Sequence, residues 1–218
     1  MKDNISESLG DACFVFRGYN TTNLGKTPQL LASPRYGSIF EKWLKQASEV
    51  ASEETKQHID LLARVRQRHE TDLSSFADAV ALILATEVAQ IECLSTYHSV
   101  DYASSRLAAG YSLGEIAANI CGGVIPFNEA LSVPVSLAPD CAELGATTRM
   151  GIVFSRTGQI DVEKIERLCV SITMEKKGTI AISAILSPNT VLILGQNDTV
   201  ERFSMLRREI FPRGVHLR

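Results

Sequence analysis

Gly110-Tyr111-Ser112-Leu113-Gly114 sets one serine between two glycines. Between a strand and a helix, G-x-S-x-G forms a nucleophile elbow. The glycines let the backbone turn sharply without a Cβ clash. The turn lifts the serine hydroxyl to the N-terminus of the helix. There the free N–H groups and the helix dipole stabilise an oxyanion on a substrate carbonyl. A serine at this place can also simply cap a helix. A nucleophile further needs a base within reach.

The elements that would position Ser112 can be read from the periodicity. Arg106 to Gly110 reads as a short buried strand, and Ser112 to Cys121 as a helix stopped by Gly122 and Gly123. ACFVF (12–16) is a strand that opens into RGYNTTNLGKTP, a loop rich in Gly, Asn and Thr. After Pro34 one helix places Ile39, Phe40, Trp43 and Leu44 on a single face. A second helix is expected from Ser52 to about Arg68, with Ile59, Leu62, Ala63 and Arg66 spaced by turns. RVRQRHETD is a charged break whose Arg cluster reads as a solvated helix end. A long helix from Ser75 to Tyr97 is apolar on most sides and reads as buried. Phe127 to about Ala142 reads as a helix that Pro134 bends or interrupts.

From Met150 the pattern changes. RMGIVFS is a strand, and DVEKIERLCVSITME is a helix with Val162, Ile165, Leu168, Cys169 and Ile172 on one face. TIAISAIL and TVLILGQ are strands joined by a Ser-Pro-Asn turn. NDTVERFSMLRREIF is a helix opening on an Asn/Asp cap, and GVHLR is a last strand. The order β-α-β-β-α-β is the ferredoxin-like arrangement. The sequence therefore divides into an α/β large domain over 1–147 and a ferredoxin-like domain over 148–218.

The bulk properties narrow the function classes. The chain has 218 residues, a net charge of −3 and 45% hydrophobic residues, enough for a sizeable core. It has no long basic run, which argues against a nucleic-acid partner. The polar start MKDNISESLG lacks the apolar core of a signal peptide. AVALILA (79–85), followed by Glu87 and Glu92, reads as too short to span a bilayer. Cys13, Cys93, Cys121, Cys141 and Cys169 have no CxxC spacing and sit in apolar segments, so they read as reduced core residues rather than metal ligands. These readings point to a cytoplasmic protein with no membrane partner.

GYSLGEIAANICGGVIPFNEAL resembles the GHSxGE region of the malonyl-CoA:acyl carrier protein transacylases and of synthase acyltransferase domains. FVFRGYN sits where that family has FVFPGQG, and the ferredoxin-like segment where it inserts a small subdomain. The resemblance implies an α/β-hydrolase-like acyltransferase large domain, incomplete at its C-terminus. It implies that Ser112 takes an acyl group, malonyl or related, from coenzyme A. The serine then passes the group to the phosphopantetheine thiol of an acyl carrier protein, in fatty acid or polyketide biosynthesis. Acyl-CoA is a substrate, and the arm belongs to the carrier, so no cofactor is implied. The implied oxyanion donors are the backbone N–H groups of Leu113 and Tyr19.

Three departures stand out. The family's catalytic His lies beyond the ferredoxin-like subdomain, past Arg218. His58, His69, His98 and His216 are poor substitutes, and His98 should lie about 20 Å away, at the far end of the nucleophile strand. Malonyl-specific members carry an Arg that pairs with the malonyl carboxylate. A gap-free alignment puts Leu137 there, with Arg149 the nearest downstream Arg, which leans toward a neutral acyl group. Tyr111 replaces the usual His before the serine. Tyr111 and Leu137 are thus the expected substrate-side residues. The missing base also keeps open a non-catalytic docking or assembly module for a carrier protein. An ordinary serine hydrolase fits less well, because of the ferredoxin-like segment.

Overall fold

The structure is a computed structural model that describes residues 9–211 and 214–218. The polar start, on which the signal-peptide reading rests, lies mostly outside them. Contacts divide the chain into two compact units, with the division in the sequence between Ala142 and Glu143.

The large unit is built around one helix. Strand β1 (Cys13–Phe16) leads through a loop to α1 (Thr27–Leu31), α2 (Gly37–Thr55) and α3 (Leu61–Arg66). A 3-10 turn at Leu73–Ser75 then starts α4 (Phe76–His98). Every residue from Ala79 to Ala89 in α4 is buried. A helix that is apolar all round must be enclosed, and α2, α5 (Leu113–Cys121) and α6 (Phe127–Ser136) pack on it. With its leading turn, α4 spans 26 residues and contains an 18-residue stretch with a mean hydropathy of 1.4, long and apolar enough to cross a bilayer. The short-span reading of AVALILA therefore needs correction, since the surrounding turns extend the apolar run. In this fold the helix is a core element.

Two other helix expectations shift. Ser52 does not start a helix; it lies inside α2, where its Oγ donates to Ser48 O and accepts the Ile59 N–H. The next start is Asp60, whose carboxylate accepts the Ala63 N–H and caps α3. The helix expected over 127–142 is two helices, α6 and α7 (Ala138–Thr147), separated at Leu137. Pro134 lacks the N–H that would bond one turn back, so the helix ends within a turn of it.

Strands β1 and β2 (Leu107–Gly110) pair in parallel, with Phe16 opposite Gly110. Phe14, Phe16 and Ala108 face the core. Val15 and Leu107 on the other face are 79% and 59% exposed. The buried-strand expectation for 106–110 is thus half wrong. The run is apolar on both faces, as in a strand covered twice, but the described residues cover one face. Cys13 and Cys141 are likewise exposed rather than buried.

The small unit has strands β3 (Thr148–Ser155), β4 (Ile180–Ser187), β5 (Thr190–Gln196) and β6 (Val215–Leu217), with α8 (Val162–Met174) and α9 (Thr199–Ile210). Its antiparallel sheet runs β4-β5-β3-β6, the ferredoxin-like order. Ile165, Leu168, Cys169 and Ile172 of α8 join Phe203 of α9 and Val153, Val191 and Ile193 of the sheet in one core. The expected side-chain cap on α9 is absent: Asp198 holds the N-cap position without a capping bond, and Thr199 Oγ1 donates to Gln196 O instead.

Candidate active site

Ser112 occupies the turn between β2 and α5 with φ 57 and ψ −120. Residues with a Cβ seldom take a positive φ, and doing so costs on the order of 1–3 kcal/mol. Lys56 and Ser99 also have positive φ, but with ψ of 24 and 32 they are ordinary left-handed helix ends. Ser112 lies outside that well. Its side chain makes no capping hydrogen bond, although it fills the N-cap position. The geometry therefore decides against the cap reading. The strained turn presents a hydroxyl that makes no capping bond.

Two glycines allow the elbow to close. A Cβ on Gly114 would overlap the Phe16 carbonyl and come within 2.8 Å of Arg17 O. A Cβ on Gly110 would overlap the Gly114 backbone. The Tyr111 N–H donates to Phe16 O at 3.3 Å, and the Gly114 N–H to Tyr111 O at 3.0 Å, which fastens the turn to β1. Leu113 opens α5 with its side chain buried, so its N–H has no partner within the helix.

The loop after β1 lies against the elbow at Gly18. An atom at the Gly18 Cβ position would be 3.1 Å from Ser112 Cβ and 3.7 Å from Ser112 Oγ. Tyr19 is the next residue, with its ring 4.9 Å from that of Phe76. Burial raises the Tyr19 phenol above its ordinary value, aided by Asp72 and Glu70.

Polar side chains that the motif reading passed over shape this loop. Asn23, 1% exposed, accepts the Asn20 N–H at Oδ1 and donates through Nδ2 to Asn20 O and Thr71 Oγ1. The Arg17 guanidinium donates to Asn23 O and Oδ1 at 3.0 and 3.3 Å. Glu70 accepts the N–H groups of Asn23, Thr71 and Leu24. Burial would raise its carboxyl, but those three donors outweigh it and hold the group below its ordinary value. Asn23→Ala would strand buried donors and acceptors and is expected to cost about 2 kcal/mol in urea unfolding. A loss under about 0.5 kcal/mol would show that the loop is held otherwise.

The fourth such residue is Glu87. It is 7% exposed in mid-α4, and its Oε1 accepts the Arg17 N–H at 2.9 Å. Burial pushes its carboxyl up to about 7, against the Arg17 N–H and charge. Burial, aided by Glu87, pushes the nearby Cys121 thiol up to about 12. A glutamate set among mostly apolar residues in a buried helix was the signal in the sequence, since such a side chain must find a partner.

The four histidines have other partners or places. His98 Nε2 is 2.9 Å from the Tyr36 hydroxyl, and the two rings stack. His216 pairs with Phe154 across β3 and β6, ring against ring. His58 lies beside Ile59 and Asp60 in a surface hollow, and the His69 carbonyl accepts from Arg64. No hydrogen bond joins any of them to Ser112 among the described residues. Tyr111 is exposed, with its carbonyl beside Gly18. Leu137 is exposed at the end of α6, and no hydrogen bond or aromatic contact links it to the elbow among the described residues. Arg149 is exposed on β3. Nor do the described residues bring together three His, Cys, Asp or Glu side chains able to hold a metal ion.

No family model matches the chain. The malonyl CoA-acyl carrier protein transacylase of Haemophilus influenzae is 26% identical over 195 residues, covering 89% of this chain and 58% of that protein. FabD of Acinetobacter baumannii has the same fold, with a TM-score of 0.68, 19% identity, and coverage of 96% of this chain and 61% of that one. A type II polyketide malonyl-transacylase, solved with its acyl carrier protein, has a TM-score of 0.65 and 25% identity, covering 94% and 62%. The chain thus spans about three fifths of the length of these relatives. Along that length the chain is similar in sequence to a malonyl CoA-acyl carrier protein transacylase and similar in fold to solved malonyl-transacylases.

Proposed function

We propose that Ser112 is the acyl-accepting nucleophile of an acyl-CoA:acyl carrier protein acyltransferase. The observation that carries this reading is the strained Ser112 backbone, which presents a hydroxyl free of capping bonds. In the first half-reaction Ser112 Oγ attacks the thioester carbonyl. Its proton goes to a base, the C–S bond breaks, and coenzyme A leaves as the thiol. In the second, the thiol of the carrier's phosphopantetheine arm attacks the acyl-serine ester and Ser112 regains a proton. The N–H groups of Leu113 and Tyr19 serve as the oxyanion donors. The donors are backbone groups, so a tyrosine side chain at position 19 is compatible with that role.

No histidine is hydrogen-bonded to Ser112 among the described residues, and the transfer needs a base that takes its proton. Without one, acylation slows by several orders of magnitude. Leu137 offers only apolar surface, which favours a neutral acyl group over malonyl.

Intact-mass spectrometry after long incubation with acetyl-CoA or malonyl-CoA tests the proposal. An acyl adduct is expected on Ser112, slow to form, larger with acetyl-CoA, and absent in Ser112→Ala. A clear malonyl preference would overturn the acyl assignment. No adduct with either thioester would overturn the nucleophile. The same lack of a bonded base would then favour the second reading, a carrier-protein docking module without transfer.

A further inference from the structure

We propose that Glu87 is a positioning residue for this site: its carboxylate accepts the Arg17 N–H and so pins the following residue, Gly18, against Ser112. The pin itself stands on geometry; its part in acyl transfer rests on the function proposed above. Glu87 Oε1 is 2.9 Å from the Arg17 nitrogen, and its Oε2 is buried without a hydrogen-bond partner among the described residues. Burying a carboxylate with one oxygen unpartnered is costly. The core position could hold an apolar residue, so stability does not explain Glu87. What the carboxylate reaches is the backbone one residue before Gly18, whose Cα lies beside Ser112.

The pin responds to protonation near neutrality, because burial raises the Glu87 carboxyl to about 7. Arg17, at the end of β1, opposes that rise through its N–H and its charge. The Cys121 thiol of α5 also feels Glu87. Among the described residues, no ionisable group from α2 or α6, the other large helices packed on α4, acts on it. Ionised Glu87 makes a charge-assisted bond to the Arg17 N–H, and protonated Glu87 a weaker one. The loop is therefore held more firmly above pH 7 than below it.

Hydrogen–deuterium exchange of the chain tests this without any acyl-CoA. After correction for intrinsic rates, a peptide spanning Arg17 should be about tenfold better protected at pH 8 than at pH 6. Glu87→Gln keeps an acceptor but cannot ionise, so protection should persist with no pH step. Glu87→Leu should lose it, and Arg17→Pro, which deletes the donor, should lose it too. Labelling of Ser112 by a fluorophosphonate should follow the same order, falling at least tenfold in Glu87→Leu. Retained protection in Glu87→Leu, or a pH step that survives in Glu87→Gln, overturns the pin. If Glu87→Leu does not fold, the Gln variant alone decides. Intact protection with Ser112 inert to every acyl-CoA overturns the proposed function and leaves the pin standing.

Discussion

Gly114→Ala is expected to destabilise the large unit by about 4 kcal/mol or more. The new methyl would overlap the Phe16 carbonyl and press on the Arg17 carbonyl. Both obstacles are backbone, so no rotamer change can relieve them. To make room, α5 must move away from β1, and Ser112 moves with it. The Tyr111-to-Phe16 hydrogen bond sits in the same contact and would be lost or lengthened. The single tryptophan, Trp43, lies in the large unit against Phe127, so its fluorescence reports on this unit. Denaturant unfolding followed at Trp43 gives the loss directly. Gly10→Ala, where a Cβ would meet nothing within 4 Å, is the control and should change stability by less than about 0.5 kcal/mol. A Gly114→Ala loss under about 1 kcal/mol would mean that the elbow is not this tightly closed.

The second large effect is a slope of stability with pH. Glu87 titrates near 7 in the folded chain, against an ordinary 4.5. Between those values the folded state holds a proton that the unfolded state releases. Raising the pH across this window therefore weakens the fold. The stabilisation is fully present below 4.5 and lost as pH passes 7. The displacement corresponds to about 3 kcal/mol. Glu87→Gln removes it. The variant should match the wild type near pH 5 and exceed it at pH 8 by about 2 kcal/mol, less than the full amount because the amide NH2 inherits the unpartnered place of Oε2. Glu70, held below its ordinary value, acts with the opposite sign at more acidic pH and is common to both proteins. Parallel stability curves from pH 5 to 8 would refute the assignment.

Local patterns were legible and distant partnerships were not. The elbow could be read because its two glycines and serine lie within five residues, and the ferredoxin-like order because each element shows its own period. The break between α2 and α3 was misplaced because Ser52 looks like a helix start and instead bonds back along its own helix. The exposed face of β2 was missed because an apolar strand does not say how many of its faces are covered. Glu87 was read only as an interruption of an apolar run. Its partner is a main-chain N–H seventy residues away, which carries no residue-type signature. Asn23 and Glu70 were hidden for the same reason, since much of what they bind is backbone.

The pairing of β1 with β2 has a consequence for how the site comes into being. The two strands are parallel and roughly ninety residues apart along the chain, so no hairpin can nucleate them. Pairing them means closing a loop of that length, which carries an entropic cost that the contacts of the whole unit must offset. Ser112 acquires its backbone strain, and Gly18 its place beside it, only at that closure. Ser112 is therefore timed as well as placed: a half-folded chain carries an ordinary serine, and the strained turn arrives together with the completed domain.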